Sequence, residues 1–221
     1  MKNRKKPPYD MVAKVSKKVT KRPLYIVGID EAGRGPLAGP VAVGVFIVER
    51  KKAKNVLKKA NDSKKISEIK REVIFEEAKG MSFRGMCYWD VSLIRADIID
   101  KKGISFAIRT GLSKSLSKVI KHFKLRPAEV EVLLDGSLYA PKEYVHQETI
   151  IKGDSLVPVI GMASIMAKVT RDRYMIRLAK KYPEYGFDIH KGYGTKKHYF
   201  AIKRAGISPE HRKTWIKSSI D

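Results

Sequence analysis

The feature that most constrains this chain is the stretch 24–48, LYIVGIDEAGRGPLAGPVAVGVFIV. It holds two short, apolar, β-prone runs, 24–30 and 41–48, and the first ends in the adjacent acids Asp30 and Glu31 before a glycine-rich turn. The stretch is predicted to be a hairpin with an elaborate connection. Downstream, 67–80 has helical spacing, with Ser67 as N-cap and Gly80 as the stop. A third strand is expected over 82–92. Apolar residues three and four apart then predict helix over 92–100 and 104–125, with Pro127 closing that region. VEVLLDG (130–136) and YVHQETIIKGD (144–154) each read as a strand leading to an acid and a glycine. A long helix is expected over about 159–181, a Gly- and aromatic-rich loop over 185–195, a shorter helix near 197–205, and a basic tail. Together these predict an α/β fold with a mixed sheet flanked by helices.

Composition narrows the class. The 221 residues suffice for one sizeable domain, and a hydrophobic content of 43% allows a real core. With 47 Lys and Arg against 23 Asp and Glu, the net charge of +24 points to a polyanionic partner, and basic residues run from Lys2 to Lys217. Affinity of that kind is independent of nucleic-acid sequence and falls steeply with salt. No apolar run is long enough for a membrane span, and no secretory signal is visible. Cys87 is the only cysteine, so no internal disulfide forms, and a reducing, cytoplasmic compartment is expected.

In so basic a chain, acids that flank apolar runs stand out. Asp30-Glu31, Asp135 and, less cleanly, Asp154 follow apolar strands, where ligand sites in open α/β sheets gather. Carboxylates of this kind hold hard divalent cations, and two ions about 3.5–4 Å apart can assist phosphodiester hydrolysis. Asp135 and Asp154 taken singly also suit turn formers or helix caps. Asp30 and Glu31 repel each other unless a cation or Arg34 neutralises them. Gly33-Arg34-Gly35 allows either a turn at positive φ or close approach of a phosphate-bearing ligand, and it matches neither a dinucleotide fingerprint nor a P-loop. Tyr193, in HKGYGT (190–195), can pack on the surface or stack on a sugar or base. His122, His146, His190, His198 and His211 lack zinc-ligand spacing, and the four-residue spacing of Ser164 and Lys168 does not by itself argue for a nucleophile pair.

Taken together the motifs resemble those of the ribonuclease HII family. The matching strings are GIDEAGRGPLAGPV (28–41), NDSKKIS (61–67), LLDG (133–136), KGDS (152–155), ASIMAKVTRDR (163–173) and YPEYGFDIHKGYGTKKH (182–198), in the family's order across about 25–215. The resemblance implies an RNase H-like fold with a mixed five-stranded sheet and a helical C-terminal region. The domain would then occupy 23–221, with its helical part from about 183 and a basic extension over 1–22. It implies a metal-binding, catalytic quartet at Asp30, Glu31, Asp135 and Asp154, with Mg²⁺ or Mn²⁺ as cofactor. It places 2′-OH recognition at Gly33, Arg34 and Gly35, and stacking on the following deoxyribose at Tyr193. The implied activity is cleavage of the RNA strand of RNA–DNA hybrids. It extends to incision 5′ of ribonucleotides embedded in duplex DNA, leaving 3′-OH and 5′-phosphate ends, by a protein acting as a monomer.

Lys64, Lys65 and Lys168 are expected phosphate contacts. Departures from the family pattern fall at Lys102-Gly103-Ile104, at Gly161-Met162, and in the extension. Two other readings remain: the sister type HIII enzyme, for which the extension is too short to supply the platform domain, and a noncatalytic nucleic-acid-binding protein. No convincing clamp-binding motif stands in KTWIKSSID at the C-terminus.

Overall fold

A computed structural model describes residues 22–58 and 66–216. All but the last residue of the 1–22 extension, Lys64 and Lys65, and the tail 217–221 lie outside the described residues. One five-stranded sheet has the order β3-β2-β1-β4-β5. Its strands are β1 (Tyr25–Ala32), β2 (Val41–Glu49), β3 (Cys87–Ile94), β4 (Val130–Asp135) and β5 (Gln147–Ile150). Strand β1 lies at the centre, antiparallel to β2 and parallel to β4, so the sheet is mixed as expected. The helices are α1 (Ala53–Val56), α2 (Glu68–Phe83), α3 (Ala96–Lys102), α4 (Ile104–His122), α5 (Gly153–Leu156), α6 (Pro158–Lys181), α7 (Phe187–His190), α8 (Lys196–Ala205) and α9 (Lys213–Ile216).

Strand alternation sorts the apolar residues into two cores. Val27, Ile29, Val43, Val45 and Ile47 pack with Ile108, Leu112 and Leu116 of α4. On the other face, Phe46 and Val48 pack with Ile74 and Phe75 of α2 and with Ile160 and Met166 of α6. Strand β2 is therefore covered on both sides, which accounts for its unbroken apolar run. Two glycines set the seat of α6. A Cβ at Gly28 would lie 2.1 Å from the Val159 carbonyl oxygen, and one at Gly44 would lie 2.4 Å from that of Ala163. No side chain fits there, so α6 rests directly on the backbone of the two central strands. A third apolar cluster, including Leu37, Met175, Phe187 and Ile202, ties the connection after β1 and the C-terminal helices to the far end of α6.

The structure corrects several boundaries. Ser67 does cap α2, its side chain accepting from the Lys70 N–H, but the helix passes through Gly80 to Phe83. The stop belongs to Gly85 (φ 65°): its N–H reaches the Ser82 oxygen while the Met86 N–H reaches that of Met81, a left-handed glycine termination. Residues 82–86 are thereby taken from the third strand, which starts at Cys87 and runs to Ile94. The expected loop 185–195 contains the helical turn α7. Asp154 stands not at a strand end but in the turn α5, beyond β5. Among the described residues no helix is long and apolar enough to cross a membrane.

Candidate active site

Sheet register brings the acids together. Strands β1 and β4 pair in parallel up to Ile29 and Leu134, so Asp30 and Asp135 leave adjacent strands side by side. Asp135 pairs with Ile150 of β5, and α5 then folds back until the Asp154 N–H donates to the Asp135 carboxylate at 3.4 Å. Gly161 has a role in this fold-back. A Cβ there would meet the Asp154 carbonyl oxygen at 2.9 Å, so the departure from the family pattern leaves room for α5 against α6. Asp30 is only 6% exposed and shares the α6-facing side of β1 with Gly28, where Ser164 hydrogen-bonds its carboxyl. Burial pushes Asp30 up to about 8; the Ser164 bond opposes this, and the charges of Glu31 and Asp135 add to it. Burial also raises Glu31, against the lowering effect of Arg34. Arg34 Nη1 bonds Glu31 Oε1 at 2.9 Å, whereas Glu31 Oε2 is buried without a hydrogen-bond partner.

Such a set of crowded carboxyls, one of them protonated near neutrality and another with an orphaned oxygen, fits a hard divalent cation by its donor chemistry. Arg34 alone balances only part of the charge. Among the described residues, no three His, Cys, Asp or Glu side chains already stand in an array that could hold a metal ion. Of these acids, Asp30 would have to lose its proton and Glu31 its bond to Arg34 to hold such an ion.

A cleft of about 480 Å³ opens above the acids, lined by Glu31, Gly33, Arg34, Gly35, Asp154, Ser164, Lys168 and Tyr193. The two glycines of the loop serve different ends. Gly33 has φ 85°, and a Cβ on it would strike Arg171 Nε at 2.0 Å, so the protein itself demands glycine. Gly35 has no neighbour within 4 Å of an added Cβ, which leaves open space for a ligand's close approach. Two arginines, each 0% exposed, hold this loop. Arg212 donates to the carbonyl oxygens of Gly33 (2.7 Å), Arg34 (2.9 Å) and Gly39 (3.1 Å). Arg171 donates to Pro40 (2.9 Å), Ala38 (3.2 Å) and, across to the tyrosine loop, Lys191 (2.9 Å). Burial and the adjacent Arg171 charge lower Arg212, while the convergent carbonyl dipoles hold the positive form. The tyrosine loop also docks directly: the Leu37 N–H donates to the Gly192 carbonyl at 2.8 Å. Tyr193 is 43% exposed, with Lys168 Nζ 6.0 Å and the Arg171 guanidinium 5.9 Å from its ring centre.

Ser164 and Lys168 form no nucleophile pair: Ser164 serves Asp30, and Lys168 Nζ bonds Asp172 at 2.8 Å. Residue chemistry read along the chain misses the roles of Ser164, Arg171 and Arg212. In so basic a protein a buried arginine reads as surface charge. One signal exists for Arg171, which falls in the four-residue series Ala163, Ala167, Arg171 and Met175 that α6 buries. No comparable pattern marks Arg212.

Comparison with known proteins places the chain in one family. The family model for ribonuclease HII matches residues 27–218. The ribonuclease HII of Clostridioides difficile (strain 630) is 44% identical over 195 residues, covering 88% of this chain and 71% of that one. The corresponding protein of Endomicrobium trichonymphae is 43% identical over 190 residues, covering 86% and 84%. Among solved structures, RNase HII in the PCNA:RNase HII complex from Archaeoglobus fulgidus superposes with a TM-score of 0.66 at 25% identity, covering 87% of this chain and 95% of that one.

Proposed function

The chain belongs to the ribonuclease HII family and is a ribonuclease H acting on RNA–DNA hybrids, and on that premise we propose that it also incises 5′ of ribonucleotides embedded in duplex DNA. The observation that carries this reading is the single cleft in which acids, the Gly33-Arg34-Gly35 loop and Tyr193 face one another. Asp30, Glu31, Asp135 and Asp154 would hold the divalent cations, Mg²⁺ or Mn²⁺. When bound, the ions lower the pKa of the attacking water and stabilise the leaving oxyanion. Ser164 orients the Asp30 carboxylate. Arg34, which bonds Glu31 Oε1 at 2.9 Å and is half exposed at the cleft, would address the substrate once Glu31 is engaged by a cation. Arg34 and the amides beside Gly35 read the 2′-OH, the group that distinguishes RNA from DNA. Lys168 contacts phosphate from the cleft wall. Tyr193 stacks on the deoxyribose that follows the ribonucleotide and leaves no space for a 2′-OH there. The products carry 3′-OH and 5′-phosphate ends.

PCNA, seen in complex with the Archaeoglobus protein, gives the class of protein partner to test for this chain. The site uses one chain, so a monomer suffices.

Tyr193→Ala tests the stacking role. Incision at a single embedded ribonucleotide should fall by about ten- to a hundredfold, the scale of one lost aromatic stack of ~1–3 kcal/mol. Cleavage within an RNA tract should fall less, so the preference for RNA–DNA junctions shrinks. Unchanged rate and unchanged junction preference would remove Tyr193 from the site.

A further inference from the structure

Beneath the tyrosine loop lies a cluster that the proposed chemistry does not use. His190, His198 and His211 are 9%, 0% and 1% exposed, and the rings of His190 and His198 stack with centroids 4.4 Å apart. Both nitrogens of each ring are engaged. His190 Nε2 meets the Tyr185 carbonyl at 2.7 Å, and its Nδ1 accepts from the Gly192 N–H at 3.2 Å. His198 and His211 share an Nε2···Nε2 hydrogen bond of 3.1 Å.

The direction of the bonds is fixed from one end. The Ser208 N–H can only donate, and it points at His211 Nδ1 at 2.9 Å, so that nitrogen is bare and the Ser208 hydroxyl, 2.8 Å away and itself accepting from the Glu210 N–H, donates to it as well. His211 therefore carries its proton on Nε2 and donates to His198 Nε2. His198 in turn carries its proton on Nδ1 and donates to the Tyr193 carbonyl oxygen at 2.9 Å. Both rings must be neutral for this chain to exist. Burial pushes each down to about 4, with His190 lowering His198 further and His198 lowering His211 further. Asp188 and Lys191, which act on His190, are the charged groups nearest in effect.

Two other roles are excluded by the same contacts. No nitrogen lone pair is left for a metal, and none of the three rings lines the cleft, so no proton passes from them to substrate. What the chain does reach is the carbonyl oxygen of Tyr193, between Gly192 (φ 85°) and Gly194; the Thr195 N–H donates to the same oxygen at 2.8 Å, and the preceding Lys191 and Gly192 carbonyls are held by Arg171 and by the Leu37 N–H. We infer that the neutral relay Ser208–His211–His198–Tyr193 is a positioning device that fixes the Tyr193 ring for discrimination of the sugar following the cut. This rests on the reading of Tyr193 as the residue that contacts that sugar.

The experiment compares kcat/KM for a duplex with one ribonucleotide followed by DNA against the same site followed by further ribonucleotides, with melting temperatures measured in parallel. His198→Phe keeps a ring but loses the donor, and should cut the ratio of the two values by about five- to tenfold, the worth of one hydrogen bond. His198→Asn restores a donor at the same place and should recover most of the ratio. Tyr193→Ala combined with His198→Phe should be no worse than Tyr193→Ala alone. A folded His198→Phe protein with an unchanged ratio, or an effect that adds in full to that of Tyr193→Ala, would overturn the relay. Should His198→Phe not fold, His211→Leu (no donor) against His211→Gln (donor kept) poses the same question, and equal ratios for the two would overturn it. If Tyr193→Ala itself leaves the ratio intact, it is the stacking role that fails.

Discussion

Asp30→Asn is expected to lower hybrid cleavage by about a thousandfold or more, because a held divalent cation stabilises such a transition state by several kcal/mol. The fold should survive the change. Asparagine keeps a carbonyl oxygen for the Glu31 N–H, which now donates to Asp30 Oδ1 at 2.7 Å, and the Ser164 hydroxyl can serve either side-chain atom. Stability should rise. The Asp30 pKa is raised from the usual 3.8 to about 8 in the folded protein, so native Asp30 favours folding below the lower value and loses that advantage as pH climbs through the higher one. Without divalent ions, the melting-temperature advantage of Asp30→Asn should therefore grow between pH 4 and about pH 8. An Asp30→Asn enzyme within tenfold of the wild type would show that Asp30 is not a metal ligand.

Arg212→Ala should be the most damaging change away from the acids. It strips hydrogen bonds from the carbonyls of Gly33, Arg34 and Gly39, in a place where the guanidinium is fully buried and water cannot substitute. Each orphaned buried acceptor costs about 1–3 kcal/mol, so a loss on the order of 3 kcal/mol or more is expected. For a chain of this size that corresponds to a fall of about 6–12 °C in melting temperature. Arg212→Lys should recover little, since a single ammonium cannot reach three carbonyls arranged for a planar fork. Because Gly33 and Arg34 belong to the loop proposed to sense the 2′-OH, cleavage of hybrids should fall with stability. A melting temperature within a degree or so of the wild type would mean that the loop holds its shape without Arg212.

The sequence conveys the parts of this molecule that depend on local pattern. The β1–β2 hairpin and the long helix α6, expected from 159 and found from Pro158, follow from apolar runs bounded by Gly and Pro. What it conveys poorly is competition between equivalent signals. Gly80 and Gly85 are both able to end α2, and only packing and the availability of a left-handed turn select Gly85. The same limit applies to polar residues whose partners lie far away in the chain. Arg212 bonds Gly33 across 179 positions, and His198 meets His211 only after the C-terminal segment has folded back. The acids were visible because they interrupt a basic chain at strand ends. Asp154, which sits on a helical turn instead, was visible mainly through the KGDS string that resembles the family's.

As proposed, the cleft needs only one ribonucleotide within DNA to direct a cut beside it. A duplex of DNA containing a single ribonucleotide, incubated with the protein and Mg²⁺ or Mn²⁺, tests that directly. The expected result is a nick on the 5′ side of the ribonucleotide, leaving 3′-OH and 5′-phosphate ends, with no cutting of the all-DNA duplex. No incision, or equal incision of both duplexes, would contradict it.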